Sequence, residues 1–398
     1  MRGFVGSLAV VALMSGCGSG GGKPQAHGGN AGSSAGLGGT PGGTGAGGGR
    51  AGQNGEGPGG SGAGGASAGQ GGSAAGGGGT GVEPTIVATF DTVPVSLGLD
   101  ATNLYVTLSG TQGNFDGKVQ AVAKTAVGAT TGAGTIVTLA SGIREAGTIA
   151  VAGGTVYWSS PEAVFPNGGA IFAVPAAGGS VTQITPGETT TYSRIAVANS
   201  VLYEITANYG SVTAYPLTGG GGAQIIYAGP TYALRGIDTD GTSVFLFAGN
   251  AAAMVSIYKL PVGGGAVIDL MQDVASNGSG NSGGDCDLVD DAMTLYWTDT
   301  RNAGVYSVSK TGGTAKLLAT VELNGACPEI ALDGNEIFVL EPSRLSRFPK
   351  AGGTPVIMAA GGLRNRLSTA DSSVGLVTDD RYVYWLRKEA GQIVKLAK

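Results

Sequence analysis

Seven copies of one sequence pattern occupy most of this 398-residue chain and constrain its fold more than any other feature. Each copy contains an aliphatic residue followed directly by an aromatic one: Leu104-Tyr105, Val156-Tyr157, Leu202-Tyr203, Val244-Phe245, Leu295-Tyr296, Ile337-Phe338 and Val383-Tyr384. Another aliphatic residue precedes every aromatic by eight positions: Leu97, Ile149, Ile195, Ile237, Leu288, Ile330 and Leu376. Two short strands joined by a tight turn give this spacing, so we expect each copy to begin with a β-hairpin.

A second pattern follows each aromatic pair and predicts a third strand. It reads aliphatic, two residues, apolar, then Pro or a small residue, as in Ile171/Val174/Pro175 and Leu345/Phe348/Pro349. Copies two to six continue with Gly-Gly, which suits a two-residue hairpin, and then with a β-rich run such as Ala315–Thr320. Each unit therefore has four short strands within 42–52 residues. This is the period of a β-propeller blade.

The two ends of the repeat region complement each other. The last copy stops at Lys398, directly after its third strand, whereas Pro84–Phe90 resembles a fourth strand without a blade. Pairing this first strand with the last blade would close a ring and remove open sheet edges. The sequence thus predicts an all-β fold: a seven-bladed β-propeller of four-stranded blades, spanning residues 82–398. A β-solenoid or a sandwich of irregular repeats is the alternative.

The region before the repeats predicts an exported, tethered protein. Arg2 precedes an apolar run over Phe4–Met14, which is too short to span a bilayer and suits a signal-peptide core. Residues 17–81 follow with 32 Gly in Gly18–Gly81, too few apolar groups for a core, and a predicted disordered span of roughly 40–50 Å. The domain boundaries expected are 1–16 for the signal peptide, 17–81 for the linker and 82–398 for the propeller.

Two resemblances follow from particular residues. Met14-Ser15-Gly16-Cys17 resembles the bacterial lipobox, with Met14 in place of the usual Leu; this implies lipidation of Cys17 and an outer-membrane lipoprotein, periplasmic or surface-facing. An ordinary cleavable signal with an incidental Cys is the alternative. Tyr296-Trp297-Thr298-Asp299 resembles the signature of YWTD-type propellers, and the repeat period is similar to NHL-like ones. That resemblance implies a rigid ring used mostly for binding, although YWTD propellers usually have six blades.

Composition restricts the chemistry. Residues 82–398 have 19 Lys and Arg against 26 Asp and Glu, a net charge of −7, so we expect no nucleic-acid partner. The only histidine, His27, lies in the linker, which excludes a His-based triad or a His-ligated metal in the propeller. A catalytic carboxylate pair remains open.

The densest acidic set in the sequence has no EF-hand spacing, so we expect no metal or cofactor. Calcium is the alternative, at Asp285, Asp287, Asp290, Asp291 and Asp299.

Alignment of the copies suggests sites near the central funnel. If all first strands enter the ring at one height, the residues nine positions before each aromatic lie near its mouth. The polar candidates for ligand contact are Arg194, Asp287 and Glu329 at these positions and Arg235 one residue earlier, and interblade bridging is the alternative role. Cys286 and Cys327 occupy nearly matching places in copies five and six, and the exported compartment permits a disulfide between them. Two buried free thiols are the alternative.

Three functions remain open from the sequence. The first is a non-enzymatic binding or scaffold propeller, monomeric, displayed on an outer-membrane lipid anchor, with a protein or glycan ligand that the sequence does not identify. The second is a carboxylate-dependent hydrolase or lyase acting on glycans, which requires two carboxyl groups ~5–9.5 Å apart. The third is a subunit of an envelope complex, which requires an exposed apolar patch.

Overall fold

The computed structural model describes residues 82–111, 114–160, 170–185, 194–205, 210–229, 233–249, 254–275, 287–299, 303–322, 328–360 and 375–398. These residues belong to one compact unit. Within them all regular structure is β-strand. No helix in this part of the chain is long and apolar enough to cross a membrane.

The strands form seven sheets of mostly antiparallel strands. Before the first blade lies β1 (Thr85–Thr89). Blade one contains β2 (Pro94–Leu99), β3 (Asn103–Leu108), β4 (Gly117–Ala123) and, after the short β5 (Ala129–Thr130), β6 (Ile136–Ile143). Blade two contains β7 (Ile149–Ala152), β8 (Thr155–Ser160), β9 (Ala170–Pro175) and β10 (Thr182–Gln183). Blade three contains β11 (Arg194–Ala198), β12 (Val201–Ile205), β13 (Ser211–Pro216) and β14 (Gln224–Ala228).

The remaining blades repeat this order. Blade four contains β15 (Ala233–Thr239), β16 (Ser243–Gly249), β17 (Met254–Pro261) and β18 (Ile268–Ala275). Blade five contains β19 (Leu288–Asp290), β20 (Thr294–Asp299), β21 (Gly304–Ser309) and β22 (Lys316–Thr320). Blade six contains β23 (Glu329–Asp333), β24 (Glu336–Leu340), β25 (Arg344–Pro349) and β26 (Val356–Ala360). Blade seven contains β27 (Leu376–Thr378), β28 (Tyr382–Arg387) and β29 (Gln392–Ala397).

The first strand of the domain completes the last blade. β1 pairs antiparallel with β29, with Thr85 opposite Lys395 and Thr89 opposite Gln392, and β5 adds two parallel pairs at its other edge. The first strand of each blade contacts that of the next blade, and β27 of blade seven contacts β2 of blade one. The prediction of a closed seven-bladed propeller is therefore confirmed.

The core consists of seven apolar clusters, each shared by two neighbouring blades. All seven repeat aromatics and all seven aliphatic residues that precede them by eight positions are buried. Since an isolated four-stranded sheet buries no face, each blade gains its core from its neighbours. The regular pattern in the sequence is thus the pattern of the seams between blades.

The Gly-Gly pairs serve a different purpose from the predicted two-residue hairpin. In blade six, Gly352 N–H donates to Pro349 O at 2.8 Å, which closes a turn around Lys350 and Ala351, and β26 begins only at Val356. Gly353 N–H donates to Leu318 O of blade five at 3.1 Å. With φ at +90°, Gly352 is left-handed, and an added Cβ would lie 3.0 Å from that same oxygen. The pair therefore lets the turn approach the preceding blade.

Lysines at the ends of third strands link neighbouring blades. Lys310 follows β21 of blade five and forms an ion pair with Asp240 of blade four at 2.9 Å. Three further pairs have the same arrangement: Lys350–Asp291, Lys124–Asp379 and Lys398–Asp333. After the third strands of blades two, three and four the same place holds Ala176, Leu217 and Val262. The charged links are thus confined to one part of the ring.

Candidate functional site

A cavity of about 210 Å3 lies between blades one and two. We call it the blade 1–2 cavity. Most of its lining is apolar or aromatic, and no carboxylate is among the described residues that line it: Phe115, Ala140, Ser141, Gly142, Ile143, Arg144, Trp158, Ser160, Phe172 and Val181. An apolar cavity of ~150 Å3 accepts benzene, so this one has room for a single six-membered ring with a small substituent.

Irregular backbone in blade one shapes this cavity. The fourth strand β6 has 8 residues, as does β18 of blade four, whereas β22 and β26 have 5. Its pairing with β4 shifts register twice, and Gly142 near its end has φ of +75°. A bulge of this kind bends a strand and takes its last residues out of the regular ladder. The bulge thus gives the cavity one wall, to which the loop residue Phe115 adds an aromatic ring.

Two stacked rings of blade two form the opposite wall. Trp158 on β8 and Phe172 on β9 are paired across the strands, with ring centroids 5.8 Å apart and planes at 24°. Trp158 is 1% exposed, and its Nε1–H is buried without a hydrogen-bond acceptor among the described residues. Blade five repeats the stack with Trp297 and Tyr306. The stack is therefore a packing feature of the repeat, and the Trp158 ring is almost fully covered although it lines the blade 1–2 cavity.

The polar groups at the blade 1–2 cavity are few. Arg144 supplies the one charged side chain among its described lining residues, and Ser141 and Ser160 supply hydroxyls. At the rim, Phe115 is 55% exposed and Val181 is 46% exposed. A charged group beside a mostly apolar wall is the usual composition of a small-molecule site, in which a few polar groups orient the ligand.

Two of the funnel residues predicted from the copies, Asp287 and Glu329, lie at seams between blades. Asp287 and Glu329 are buried, at 7% and 5% exposure. Asp287 Oδ2 accepts a hydrogen bond from Ile330 N–H of blade six at 3.0 Å, and Glu329 Oε2 accepts one from Gly375 N–H of blade seven at 2.7 Å. Both carboxylates thus join neighbouring inner strands. Ligand contact by these two residues stays a prediction.

The two arginines predicted for the funnel differ in what is described. Arg194 begins β11, is partly buried, and its Nε has no hydrogen-bond partner within the described part of the chain. Arg235 lies in β15, but its side chain is outside the described residues. Cys286, Cys327 and Asp285 also lie outside them, as do Cys17 and the linker. The structure therefore leaves the arginine contacts, the disulfide and the lipid anchor as predictions.

The acidic set of blade five separates into individual roles. Asp291 closes the turn before β20: its Oδ1 accepts from Met293 and Thr294 N–H at 3.0 Å, and its Oδ2 from the Tyr296 hydroxyl at 3.0 Å. Burial and this hydrogen bond raise the pKa of Tyr296 to about 12. Among the described residues, no group of three His, Cys, Asp or Glu side chains is arranged to hold a metal ion. Asp100 and Asp379 close the equivalent turns in blades one and seven.

A pair of acids that the sequence did not suggest lies between blades four and five. Asp238 on β15 is hydrogen-bonded to Asp290 on β19, and burial together with the charge of Asp290 raises the pKa of Asp238 well above its ordinary value. Lys310 forms an ion pair with Asp290 as well as with Asp240. The signal was present in the aligned copies, because the place of Asp238 is otherwise taken by small apolar residues such as Gly98.

Comparison with known proteins identifies the fold and leaves the function open. A virginiamycin B lyase from Staphylococcus aureus superposes with a TM-score of 0.56 at 13% identity, over 77% of this chain and 96% of the lyase. The extracellular domain of a protein described as a hybrid two-component system from B. thetaiotaomicron gives 0.53 at 10% identity, over 79% of this chain and 40% of that one. No protein-family model and no curated protein matches the sequence. The chain shares a β-propeller fold with these structures.

Proposed function

We propose that this protein is an exported lipoprotein, held at the outer membrane through Cys17, whose propeller binds a ligand without changing it chemically. The blade 1–2 cavity is the observation that carries the proposal. It is apolar, aromatic and large enough for one ring, and its described lining offers a cation and hydroxyls but no acid. The buried carboxylates Asp287 and Glu329 support binding rather than catalysis, since each accepts a hydrogen bond from a backbone N–H group of the next blade.

A fractionation experiment tests the anchor. The full chain, expressed with its signal region in a Gram-negative host, is expected to incorporate labelled lipid and to partition into detergent. The Cys17→Ser variant is expected to lose the label and to enter the soluble fraction. A matched Ser15→Ala variant, which keeps the thiol and a small residue before it, should behave as the unchanged protein. Detergent partitioning that is unaffected by Cys17→Ser would contradict the lipoprotein assignment.

A capture experiment tests binding. The purified full chain is immobilised and exposed to small molecules, glycans and proteins from the envelope of its host. Filling the blade 1–2 cavity with Ser141→Trp should abolish retention of its ligand, because Ser141 is an exposed lining residue whose replacement leaves the core intact. Ligand that is retained equally by both proteins would place the binding site elsewhere.

The carboxylate-dependent enzyme remains the second proposal, and one observation favours it. Asp238 has a raised pKa, whereas its partner Asp290 forms an ion pair with Lys310. An acid that keeps its proton can act as a proton donor, although this hydrogen-bonded pair is closer than the ~5–9.5 Å that the two carboxyl groups of a glycan hydrolase need. The pair lies within a seam, next to the backbone N–H of Thr239, which donates to Asp238 Oδ1 at 2.9 Å. Glycan cleavage that is lost in both Asp238→Asn and Asp290→Asn would favour this proposal over simple binding.

A further inference from the structure

We propose that residues 124–135 form a clasp that locks the first strand β1 into blade seven and keeps the ring closed when the linker before β1 is pulled. These residues connect β4 to β6 in blade one and contain β5. The inference goes beyond the proposed binding function. It concerns how the propeller withstands tension, and the proposed anchor at Cys17 is one source of such tension.

The fourth strand of blade seven is not joined by the chain to its own blade. In blades one to six the chain runs from the third strand on to the fourth, so these strands stay within the length of their connection. In blade seven the third strand is β29, and the fourth strand β1 comes from the other end of the domain. Their pairing covers Thr85 to Thr89 and is interrupted by a bulge between Ile86 and Ala88. A short, bulged pairing without a covalent connection is where local opening of the ring costs least.

The connection that faces β1 differs from those of the later blades. In blade six, residues 350–355 connect the third strand to the fourth, and Gly353 N–H donates one hydrogen bond to Leu318 O on the fourth strand of the preceding blade. Blade five makes the same contact with blade four. The blade that precedes blade one in the ring is blade seven, so the corresponding connection, residues 124–135, lies against β1. It has twice the length of the blade six connection and contains a strand of its own.

The clasp gives β1 a second hydrogen-bonded edge. Gly128 N–H donates to Ile86 O at 2.9 Å. Thr131 N–H donates to Thr89 O at 3.2 Å. Between these two bonds β5 pairs in parallel with β1 over two residues. Ala129 of β5 is 6% exposed and belongs to the apolar cluster shared by blades one and seven, so the clasp also adds to the core beneath β1.

The clasp is also fastened to parts of blade seven that do not leave with β1. Lys124 Nζ forms an ion pair at 3.2 Å with Asp379, which lies in the turn between β27 and β28. The buried Lys395 on β29 donates from Nζ to Lys124 O at 2.7 Å and, more weakly, to Ala126 O at 3.4 Å. The clasp is therefore held by the chain to blade one and by two lysines to blade seven, and β1 lies between β5 and β29.

The contacts of the clasp begin at the end of β1 that a pull reaches first. The linker precedes β1, so tension arrives at Thr85 and then at Ile86. Ile86 O accepts the hydrogen bond from Gly128, and Thr89 O, at the other end of the strand, accepts the one from Thr131. Release of β1 therefore requires the hydrogen bonds on both of its edges to break, and not those to β29 alone. The lock lies at the one seam where the chain itself supplies no connection.

The clasp offers a matched pair of glycine variants. Gly128→Pro removes the N–H that donates to Ile86 O, and proline cannot adopt the φ of +65° found there. Gly134→Pro makes the same change at another exposed glycine of the clasp, with φ of +75°, beyond the residues that pair with β1. A third variant replaces residues 124–135 with the sequence of residues 310–315, the connection of blade five. That sequence also begins with Lys, so the ion pair to the preceding blade is kept.

Hydrogen exchange of the full chain, followed by mass spectrometry, measures the opening of β1. Peptides that cover residues 85–90 should exchange roughly tenfold faster in Gly128→Pro, and faster still in the connection variant, because lost hydrogen bonds lower the cost of local opening. Gly134→Pro should exchange as the unchanged protein does, and so should peptides from blades four and five in every variant. Single molecules pulled between a handle in the linker and Lys398 should release β1 at a lower force in Gly128→Pro than in Gly134→Pro.

Four outcomes would overturn the inference. Exchange of β1 that is unchanged in both Gly128→Pro and the connection variant would show that the clasp does not hold the strand. Equal acceleration by Gly134→Pro would assign the effect to a disturbed turn, and acceleration throughout the ring would assign it to global destabilisation. Faster exchange with an unchanged release force would remove the role under tension. Since neither measurement involves a ligand or a lipid, such failures leave the binding and anchor proposals to their own experiments.

Discussion

Asp238 of blade four is hydrogen-bonded to Asp290 of blade five, at a seam that other blades fill with apolar side chains. In blade one the equivalent place is Gly98, and a Cβ added there would lie 2.8 Å from the side chain of Val151, which is the counterpart of Asp290 in blade two. The seam between blades four and five thus has two acids where the seam between blades one and two has an apolar contact. Two carboxylates in contact favour the state in which one of them keeps its proton.

This seam predicts a pH dependence of stability. The pKa of Asp238 is raised, first by burial and then by Asp290, so the folded protein keeps a proton that an unfolded chain loses near pH ~4. The folded state therefore binds more protons, and the free energy of unfolding falls as pH rises from about 4 towards the raised pKa. Asp238→Asn should remove this decline. In urea unfolding it should match the unchanged protein near pH 4 and exceed its stability at pH 7.5.

Asp291→Asn provides the control of opposite sign. The pKa of Asp291 is lowered: burial opposes this shift, but hydrogen bonds from Lys350 and backbone N–H groups outweigh burial. Its contribution to stability is therefore present above the unfolded pKa and is lost as pH falls through the folded one. The variant should cost stability at pH 7.5 and less at low pH. If the unfolding free energies of Asp238→Asn and Asp291→Asn change with pH in the same way between pH 4 and 7.5, the opposite pKa shifts of the two acids are contradicted.

Lys310 supplies the counter-charge in the same seam. Its side chain is 8% exposed, forms ion pairs with Asp240 and Asp290, and lies 4.9 Å from the centroid of the Phe245 ring. Lys310→Met should destabilise the protein by about 2–3 kcal/mol, below the range for fully buried pairs because Asp240 is partly exposed. Lys118→Met breaks an ion pair with the exposed Asp91 and should cost less than ~1 kcal/mol. Chemical unfolding at pH 7 measures the loss of unfolding free energy in each variant. Equal losses would show that the ion pairs of Lys310 stabilise the protein no more than the exposed pair of Lys118 does.

Closure of the ring through β1 can be tested by single side chains. Val87 is fully buried and packs in the cluster shared by blades one and seven, whereas Val82 is 69% exposed before the strand. Val87→Ala should cost about 2 kcal/mol from lost burial and the space left behind. Val82→Ala should have little effect. A melting temperature unchanged by Val87→Ala, or by deletion of residues 82–90, would show that β1 does not hold the last blade.

The repeat pattern predicted the fold because its residues form the seams. Leu97 and Tyr105, like their counterparts, are buried between blades, so burial kept their spacing regular through seven copies. The complementary ends predicted closure for the same reason, since an unpaired edge is costly. The connection with Gly-Gly was predicted only in part. Gly353 N–H donates to Leu318 O of another blade, and the turn propensities of neighbouring residues cannot predict a contact between blades.

The blade 1–2 cavity could not be read from the copies. It depends on a bulge near Gly142, on Phe115 in a loop, and on the distance between a fourth strand and the middle strands of the next blade. Position within the repeat does not encode these features. Asp238 is the opposite case. In the alignment of the seven copies, the position of Asp238 is otherwise held by apolar residues. A charged residue at a position that is partly or fully buried in every blade is unusual, and this can be recognised from the sequence alone.

A disulfide between Cys286 and Cys327 remains a prediction from the sequence, and the residues beside them give it a firmer basis. Thr298 Oγ1 accepts a hydrogen bond from Asp287 N–H at 3.3 Å and donates to Pro328 O at 2.9 Å. One hydroxyl group therefore joins the residue that follows Cys286 to the residue that follows Cys327. A disulfide between the two cysteines themselves requires a Cα distance of ~4.4–6.8 Å.

The disulfide prediction is decided by mass spectrometry of protein exported by its host, alkylated and digested without reduction. We expect a cross-linked peptide that contains both cysteines. The bridge would enclose 40 residues, and constraining such a loop in the unfolded chain is worth roughly 3–4 kcal/mol. Reduction should therefore lower the melting temperature while the seven interblade clusters keep the ring folded at room temperature. Cys286→Ser with Cys327→Ser should melt as the reduced protein does. Recovery of both thiols in alkylated form would refute the bridge.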